Sequence, residues 1–272
     1  VEVFTPIVEE GLDWVPENDQ AMVYVNKTIV ALDLVQHDRA VEFSGEAIEI
    51  LKKSLNREFS EKAQFQLGKA YSTMAGALAG MDKFRDALNK LNDGIGVLMD
   101  LAVRCNHPKA KMNVIYNLLN KSMLLMNLND LHEAVETLDR AIDLVTKMIN
   151  EEDRIEMRMW LATITLKKGQ ALHQLESLPD ALRCTNDGIE LLEHLVHKEG
   201  KAEAARELFF GYSEKAAILE KQGDLDLALK FYDQVIELLT EFTDLYQQRD
   251  LGSERARYIK KRDNLKARMG LG

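Results

Sequence analysis

The sequence predicts an all-α fold: an α-solenoid of five stacked helix-turn-helix repeats that ends in a C-terminal capping helix. Three observations predict it, namely a segment that recurs along the chain, apolar residues spaced three and four apart within each copy, and a shortage of helix breakers. The 272 residues include 15 Gly and 4 Pro, whereas strands and tight turns use more of both. Long helices are therefore favoured before any motif is considered.

The recurring segment defines a repeat of 47 residues. Two columns are invariant in all five copies, one of Ala and one of Ile. The Ala column is Ala40, Ala87, Ala134, Ala181 and Ala228, and the Ile column is Ile48, Ile95, Ile142, Ile189 and Ile236. Chance does not place two invariant columns at one fixed period, so the chain is a repeat protein.

Each copy has the pattern of a helical hairpin. In the first copy, Val41, Ile48 and Leu51 follow helical spacing and form one apolar stripe. Another helical stretch precedes each such helix, and a short polar break separates the two. The breaks are Asp82–Lys83, Asn129–Asp130, Glu176–Ser177 and Gly223–Asp224, which suit a helix stop followed by an N-cap. Because a hairpin cannot bury its apolar face alone, neighbouring copies are expected to stack.

These residues resemble a known family. The motifs QGDLDLA (222–228) and NLNDLHEA (127–134) are similar to the turn and second-helix start of the tetratricopeptide repeat. Small residues stand twelve positions before the Ala column, at Ala75, Ser122, Gly169 and Ala216, and match the small site on that family's first helix. The first copy differs most, with Thr28, Ala31 and His37 at the family's positions. Each copy is also longer than the family's roughly 34 residues, as in the long-helix variants of kinesin light chain and of bacterial peptide-sensing regulators.

The resemblance gives a domain organisation. One domain is expected, with five copies at 21–67, 68–114, 115–161, 162–208 and 209–255. An N-terminal cap segment is expected at 1–20, where Thr5–Pro6 suits a helix start and Trp14 is expected to pack on the first copy. A basic C-terminal capping helix is expected at 253–272.

The charge of the chain is unevenly divided. From Arg249 to Gly272, eight Lys and Arg against three Asp and Glu give a net charge of +5, so 1–248 carry −15 of the total −10. Two interpretations of this basic end stay open: a solvated cap whose cations oppose an acidic body, or a docking site for an acidic partner or lipid headgroups.

Composition excludes several classes of protein. The net charge of −10 and the pI near 5.2 argue against nucleic acid as the main partner, because phosphate binding needs a basic surface. No apolar run is long enough for a membrane span. The first residues do not resemble a signal peptide. Two cysteines, Cys105 and Cys184, cannot form a disulfide framework, so a reducing, cytoplasmic location is expected.

No catalytic or metal-binding motif stands out. The chain lacks a Gly-rich phosphate loop, HExxH, CxxC and GxSxG. His194 and His197 have the spacing of metal ligands on a helix but no third ligand, and Cys105 with His107 is an isolated pair. The sequence therefore predicts no catalytic residue, no metal, no cofactor and no enzyme activity.

The resemblance implies that the first helices line a concave groove that holds a peptide. Mapping the groove positions of the family gives eleven partner-binding candidates. They are Asn26, Lys69, Ser72, Gly76, Tyr116, Asn120, Met123, Met126, Lys167, Gln170 and His173. Copy two would supply a smooth floor and copy three a Tyr/Met wall, which is how an adaptable apolar pocket is built. In the alternative interpretation, the longer helices rotate the groove and bury these Met and Tyr side chains between copies.

A named subtype of the family binds chaperone C-terminal tails through a carboxylate clamp. Asn120 and Lys167 match the clamp, whereas Ser72, Gly76 and Thr163 stand at its other positions. Chaperone-tail binding is therefore not expected.

The sequence thus predicts a non-enzymatic interaction scaffold that binds a peptide or protein segment in its groove. The alternative is a ligand- or peptide-responsive sensor module of a signalling or transcription regulator, whose array changes curvature when the ligand binds. Self-association of the array is a third interpretation.

Overall fold

The computed structural model describes residues 17–246 and 250–271, and all regular structure within these ranges is helical. The predicted cap residues Thr5, Pro6 and Trp14 lie outside the described residues. The described α-helices are α1 Glu17–Asp33, α2 His37–Arg57, α3 Glu61–Ala79, α4 Phe84–Arg104, α5 Pro108–Asn127, α6 Leu131–Glu151, α7 Arg158–Gln174, α8 Leu178–Glu193, α9 Ala205–Gln222, α10 Leu225–Tyr246 and α11 Asp250–Arg268. Short 3₁₀ turns at Ile155–Met157 and Ala202–Ala204 precede α7 and α9, and a π-helical turn at His194–Lys198 extends α8. The predicted fold class, an all-α solenoid of helical repeats, is confirmed.

The helices pack into two compact units, Val1–Asp130 and Leu131–Gly272. The first unit holds α1 to α5, and the second holds α6 to α11. The repeat limits and the single domain that the sequence suggests stay predictions. The first helices begin at Glu61, Pro108, Arg158 and Ala205, a few residues before the predicted copy limits.

In the first unit, α1 pairs with α2, α3 pairs with α4, and α5 packs against α4. Helix α3 also touches α1 and α5, so the three first helices lie side by side. Ala40 and Ala87 of the repeat column are fully buried. A small residue here lets the two helices of a hairpin approach closely.

In the second unit, α6 packs against α7, α7 pairs with α8, and α9 pairs with α10. Helix α11 packs against α10 and closes this unit, with Tyr258 and Leu265 buried in the core. The remaining members of the column, Ala134, Ala181 and Ala228, are also fully buried. The column thus has one packing role in both units.

Backbone hydrogen bonds, rather than side chains, close the turns after the first helices. One to three residues after each of these helices, the backbone is left-handed, with φ of 58° at Val35 and Asp82, 63° at Asn129 and Glu176, and 90° at Gly223. At the first turn, Gln36 N–H donates to Ala31 C=O at 2.8 Å and Val35 N–H donates to Leu32 C=O at 2.9 Å. This pair of bonds is the Schellman motif, and the same two bonds recur at the other four turns.

The structure agrees with the predicted helix stops at these breaks. The prediction that a side chain caps the next helix was wrong for α4 and α8. Lys83 and Ser177, from two of the predicted breaks, occupy the N-cap position of α4 and α8, and neither makes a side-chain cap hydrogen bond. Gln36, at the N-cap position of α2, makes none either. The reason is geometric: the Schellman turn leads straight into the next helix, and these N-caps have ψ near 60° instead of extended backbone. Side-chain caps stand between hairpins instead, where Ser60 accepts from Ala63 N–H at 3.3 Å and His107 accepts from Ala110 N–H at 3.1 Å.

Candidate functional site

The partner-binding candidates of the first unit lie on α1, α3 and α5, which are neighbours. Asn26 and Gly76 are exposed, whereas Lys69, Asn120 and Met126 are partly buried. Tyr116 and Met123 are exposed by 49% and 45%. We call the surface marked by Asn26, Lys69, Gly76, Tyr116, Asn120, Met123 and Met126 the first-helix face. The structure therefore brings the predicted floor and wall into one unit and does not bury Tyr116 or Met123 between copies.

The floor of the first-helix face is open at Gly76. A Cβ atom added to Gly76 would meet no heavy atom within 4 Å, so α3 presents bare backbone there. Ile29 of α1, at the equivalent position one copy earlier, is 40% exposed. Apolar side chains thus stand on both sides of a glycine surface, on α1 and on α5.

Ser72 has a structural role instead of a solvent-facing one. Its hydroxyl donates to the Gly68 carbonyl at 2.9 Å and accepts from Asn117 Nδ2 at 2.7 Å, which ties α3 to α5. Asn117 is fully buried, and its Oδ1 finds no hydrogen-bond partner among the described residues. Sequence reasoning missed Asn117, although a polar side chain inside the apolar stripe of α5 was a signal of such a buried contact.

The candidates of the second unit are paired with protein groups. Lys167 Nζ lies 3.2 Å from Gln170 Oε1 on α7, and His173 Nδ1 lies 2.6 Å from Glu214 Oε1 on α9. Since His173 and Glu214 are each about four-fifths buried, this contact fixes α7 against α9. Phe210 of α9 is 40% exposed and is an apolar group on this side of the second unit.

In both units, a tyrosine of a first helix contacts a charged residue of the preceding second helix. The charged residue is a lysine in the first unit and a glutamate in the second. The Tyr71 ring lies under the Lys52 ammonium group, and the contact of the phenol with Lys52 raises the pKa of that lysine. Tyr212 occupies the equivalent position three copies later and donates to Glu193 Oε1 at 2.8 Å. Burial, with the hydrogen bond to Glu193, raises the pKa of Tyr212. The repeat position of Lys52 and Glu193 can therefore hold a residue of either charge beside the tyrosine.

A second recurring contact joins a basic residue of a first helix to an Asp of the preceding second helix. Lys168 Nζ lies 2.5 Å from Asp139 Oδ1, and Arg262 Nη1 lies 3.2 Å from Asp233 Oδ1. Lys215 stands at the same repeat position, with its ammonium group 4.2 Å from the centre of the Phe231 ring. Burial lowers the pKa of Lys215. Sequence reasoning missed this contact because the two partners stand on different copies.

The histidines and cysteines have structural contacts. His107 caps α5 and stacks on Phe65 with ring centres 5.3 Å apart. His194 Nδ1 lies 3.2 Å from Glu199 Oε1. Burial raises the pKa of Cys184, so its thiol is a weak nucleophile. No group of three or more His, Cys, Asp or Glu side chains arranged for a metal ion occurs in 17–246 or 250–271.

No helix in the described ranges is both long enough and apolar enough to cross a membrane.

Comparison with protein families gives a match in two stretches of the chain. The tetratricopeptide repeat model matches residues 115–144 and 211–238. The predicted resemblance to this family is confirmed. The repeats support a role for the chain as a protein-interaction scaffold. A search of curated protein sequences gives no match.

Solved structures with the same fold include three of interest. A signal transduction ATPase (STAND) protein with a tetratricopeptide repeat sensor, from Pyrococcus horikoshii, has a TM-score of 0.70 at 12% identity, over 97% of this chain and 36% of that one. The apo form of RapI has a TM-score of 0.70 at 11% identity, over 98% of this chain and 68% of that one. YrrB, a tetratricopeptide repeat protein with an unusual peptide-binding site, has a TM-score of 0.50 at 15% identity, over 92% and 97%. The chain spans about a third of the STAND protein, and at these identities the similarity shows the fold alone.

Proposed function

We propose that this chain of tetratricopeptide repeats is a non-enzymatic scaffold that binds a peptide or protein segment on the first-helix face. The absence of catalytic residues, metal and cofactor, the cytoplasmic location and the exclusion of nucleic acid stay predictions from the sequence.

The observation that carries the proposal is the exposure of large apolar side chains on a helix that otherwise buries them. Helix α5 buries Ile115, Leu118 and Leu125 completely, yet leaves Tyr116 and Met123 about half exposed. Exposed apolar surface is unfavourable in water by about 25 cal/mol per Å². A partner that covers both side chains recovers this free energy, whereas the fold does not.

The chemistry of the face suits an adaptable binding site. Methionine is flexible and polarizable, so Met123 and Met126 can adjust to different apolar side chains. The open backbone at Gly76 leaves room for a peptide to approach α3 closely. Asn26, Lys69 and Asn120 surround these groups and can orient the peptide backbone by hydrogen bonds.

The test uses peptides selected from a random display library with the full chain. Binding of a selected peptide is measured by fluorescence anisotropy to wild type, to Met123→Glu and to Val103→Glu. Val103 is 75% exposed on α4, so Val103→Glu makes the same kind of change away from the first-helix face. We expect Met123→Glu to weaken binding at least about tenfold and Val103→Glu to leave it unchanged, with equal helicity in circular dichroism. Equal binding by all three proteins would refute the proposed site.

A second candidate function is a ligand-responsive sensor module. It is favoured by fold similarity over nearly the whole chain to a STAND protein with a tetratricopeptide repeat sensor and to RapI. X-ray scattering with and without a selected peptide distinguishes the two functions: a sensor changes its radius of gyration on binding, and a rigid scaffold does not. Light scattering at rising protein concentration tests self-association, which predicts an increasing mass.

A further inference from the structure

Five of the seven basic residues of α11 fall into two groups. Arg262 lies 3.2 Å from Asp233 of α10, and Arg268 contacts Glu220 of α9, so these arginines fasten α11 to the unit. Arg257, Lys260 and Lys261 form no ion pair with any residue in the described ranges. Arg257 and Lys260 are exposed, and Lys261 is partly buried, with its ammonium group 5.3 Å from the centre of the Tyr258 ring.

Helix α11 packs on α9 as the next first helix of the array. The rings of Tyr258 and Phe209 meet edge to face with centres 6.5 Å apart, and Arg268 contacts Glu220 of α9. Arg257 follows Phe210 by one repeat of 47 residues, as Lys260 and Lys261 follow Ser213 and Glu214. The three cations therefore lie on the side of α11 that corresponds, one repeat later, to the side of α9 on which Phe210 is exposed.

Two acidic groups of α9, Glu214 and Glu220, are already occupied by other partners. Glu214 pairs with His173 of α7 at 2.6 Å. Glu220 accepts from Tyr232 at 3.0 Å and contacts Arg268. These two carboxylates are therefore not ion-pair partners of Arg257, Lys260 and Lys261, which leaves three cations unpaired within the described ranges, on a chain that as a whole carries −10.

We propose that Arg257, Lys260 and Lys261, together with the Phe210 ring, form a cationic face that binds an acidic peptide segment with an apolar side chain. Carboxylates of the segment pair with the three cations, and the apolar side chain covers Phe210. The inference rests on the proposed function, because it assigns a partner chemistry to the first helices of the second unit.

The charge of the whole chain favours a short acidic peptide over a membrane or a nucleic acid. Both of those are extended polyanions, so they would meet the rest of a chain that carries −10. A short peptide contacts only the local face, and charges further away than a Debye length of about 8 Å are largely screened at physiological salt. The face has three cations, two of them exposed, which is fewer than the four to eight that typically hold a protein on an anionic membrane.

The test measures anisotropy of a fluorescein-labelled octapeptide of Glu and Asp with a central Phe, against a control in which Gln and Asn replace the acids. Wild-type full chain is compared with Arg257→Glu, Lys260→Glu and Lys230→Glu. Lys230 is exposed on α10, so Lys230→Glu makes the same charge change in the same unit but away from the face. We expect each face variant to weaken binding of the acidic peptide about five- to tenfold and Lys230→Glu to change it less than about twofold.

The outcomes separate this inference from the proposed function. Equal weakening by all three variants would mean long-range attraction only and would overturn the cationic face. Equal affinity for the acidic and neutral peptides would also overturn it, while leaving peptide binding intact. Binding to vesicles of anionic lipid with no binding to the acidic peptide would assign the face to headgroups and refute a peptide occupant. A loss of affinity with Phe210→Ala supports the apolar part of the site.

Discussion

Replacing Val35 by Gly should make this protein more stable, although the substitution removes a side chain. Val35 ends the first hairpin turn with φ of 58°, a left-handed conformation that crowds a branched Cβ. Gly223 holds the equivalent position four copies later with φ of 90°. The chain therefore contains both the strained and the relaxed version of one turn.

The magnitude follows from three contributions. Left-handed backbone is unfavourable for a non-glycine residue by about 1–2 kcal/mol, and Val35→Gly removes this strain. Gly loses more backbone entropy on folding than Val does, which cancels about 0.5–1 kcal/mol of this gain. Val35 is 70% exposed, so little buried apolar area is lost. The expected gain is about 0.5–1 kcal/mol, and the reverse change, Gly223→Val, should destabilise by about the same amount.

Urea unfolding followed by circular dichroism measures both changes as shifts of the midpoint. Val35→Asn is the control, because Asn tolerates the left-handed region and should stabilise to a smaller extent. A midpoint that falls with Val35→Gly, or that does not change with Gly223→Val, would refute backbone strain as the determinant of these turns.

Three further predictions concern packing, capping and pH. Gly68→Ala should destabilise the protein by about 1–3 kcal/mol, because the new Cβ would lie 2.4 Å from a buried leucine of α4. Gly76→Ala should stabilise it by about 0.5–1 kcal/mol, because the space around Gly76 is open. Urea unfolding midpoints test both changes. Ser60→Ala should lose the α3 cap and about 1 kcal/mol, whereas Ser177→Ala should change little in the same assay. Burial raises the pKa of Tyr232, so its contribution to stability is present below pH about 10 and is lost as the pH rises further. The unfolding free energy of Tyr232→Phe should therefore fall less steeply in alkali than that of the wild type.

Local pattern predicted the features that each copy repeats. The invariant alanines are all fully buried, and the helix stops lie at the polar breaks, because both depend on neighbours within one hairpin. The predicted N-caps failed at Lys83 and Ser177, where the backbone closes the turn. Both a Schellman turn and an N-cap favour small polar residues nearby, so composition alone could not separate them.

The sequence did not predict which side chains contact each other between copies. Ser72 looked like a groove residue, but it is bound to Asn117, which lies 45 residues further along the chain. His173 looked available for a ligand, but it meets Glu214 on the next first helix. Such pairs depend on the rotation of one helix against another, which longer helices change relative to the standard repeat. The sequence likewise left open whether Tyr116 and Met123 are exposed or buried between copies, because this too depends on the rotation of the helices.

Because the backbone alone closes the turns after α1, α3, α5, α7 and α9, the side chains at these turns are not committed to the fold. Lys83 and Asp224 are exposed beside turns of this kind, one in each unit. A cysteine introduced at each, with the native thiols replaced, gives two attachment points for fluorophores that leave helix packing intact. Energy transfer between the dyes then reports the distance between the units in solution, and its change on peptide binding shows directly whether the molecule bends.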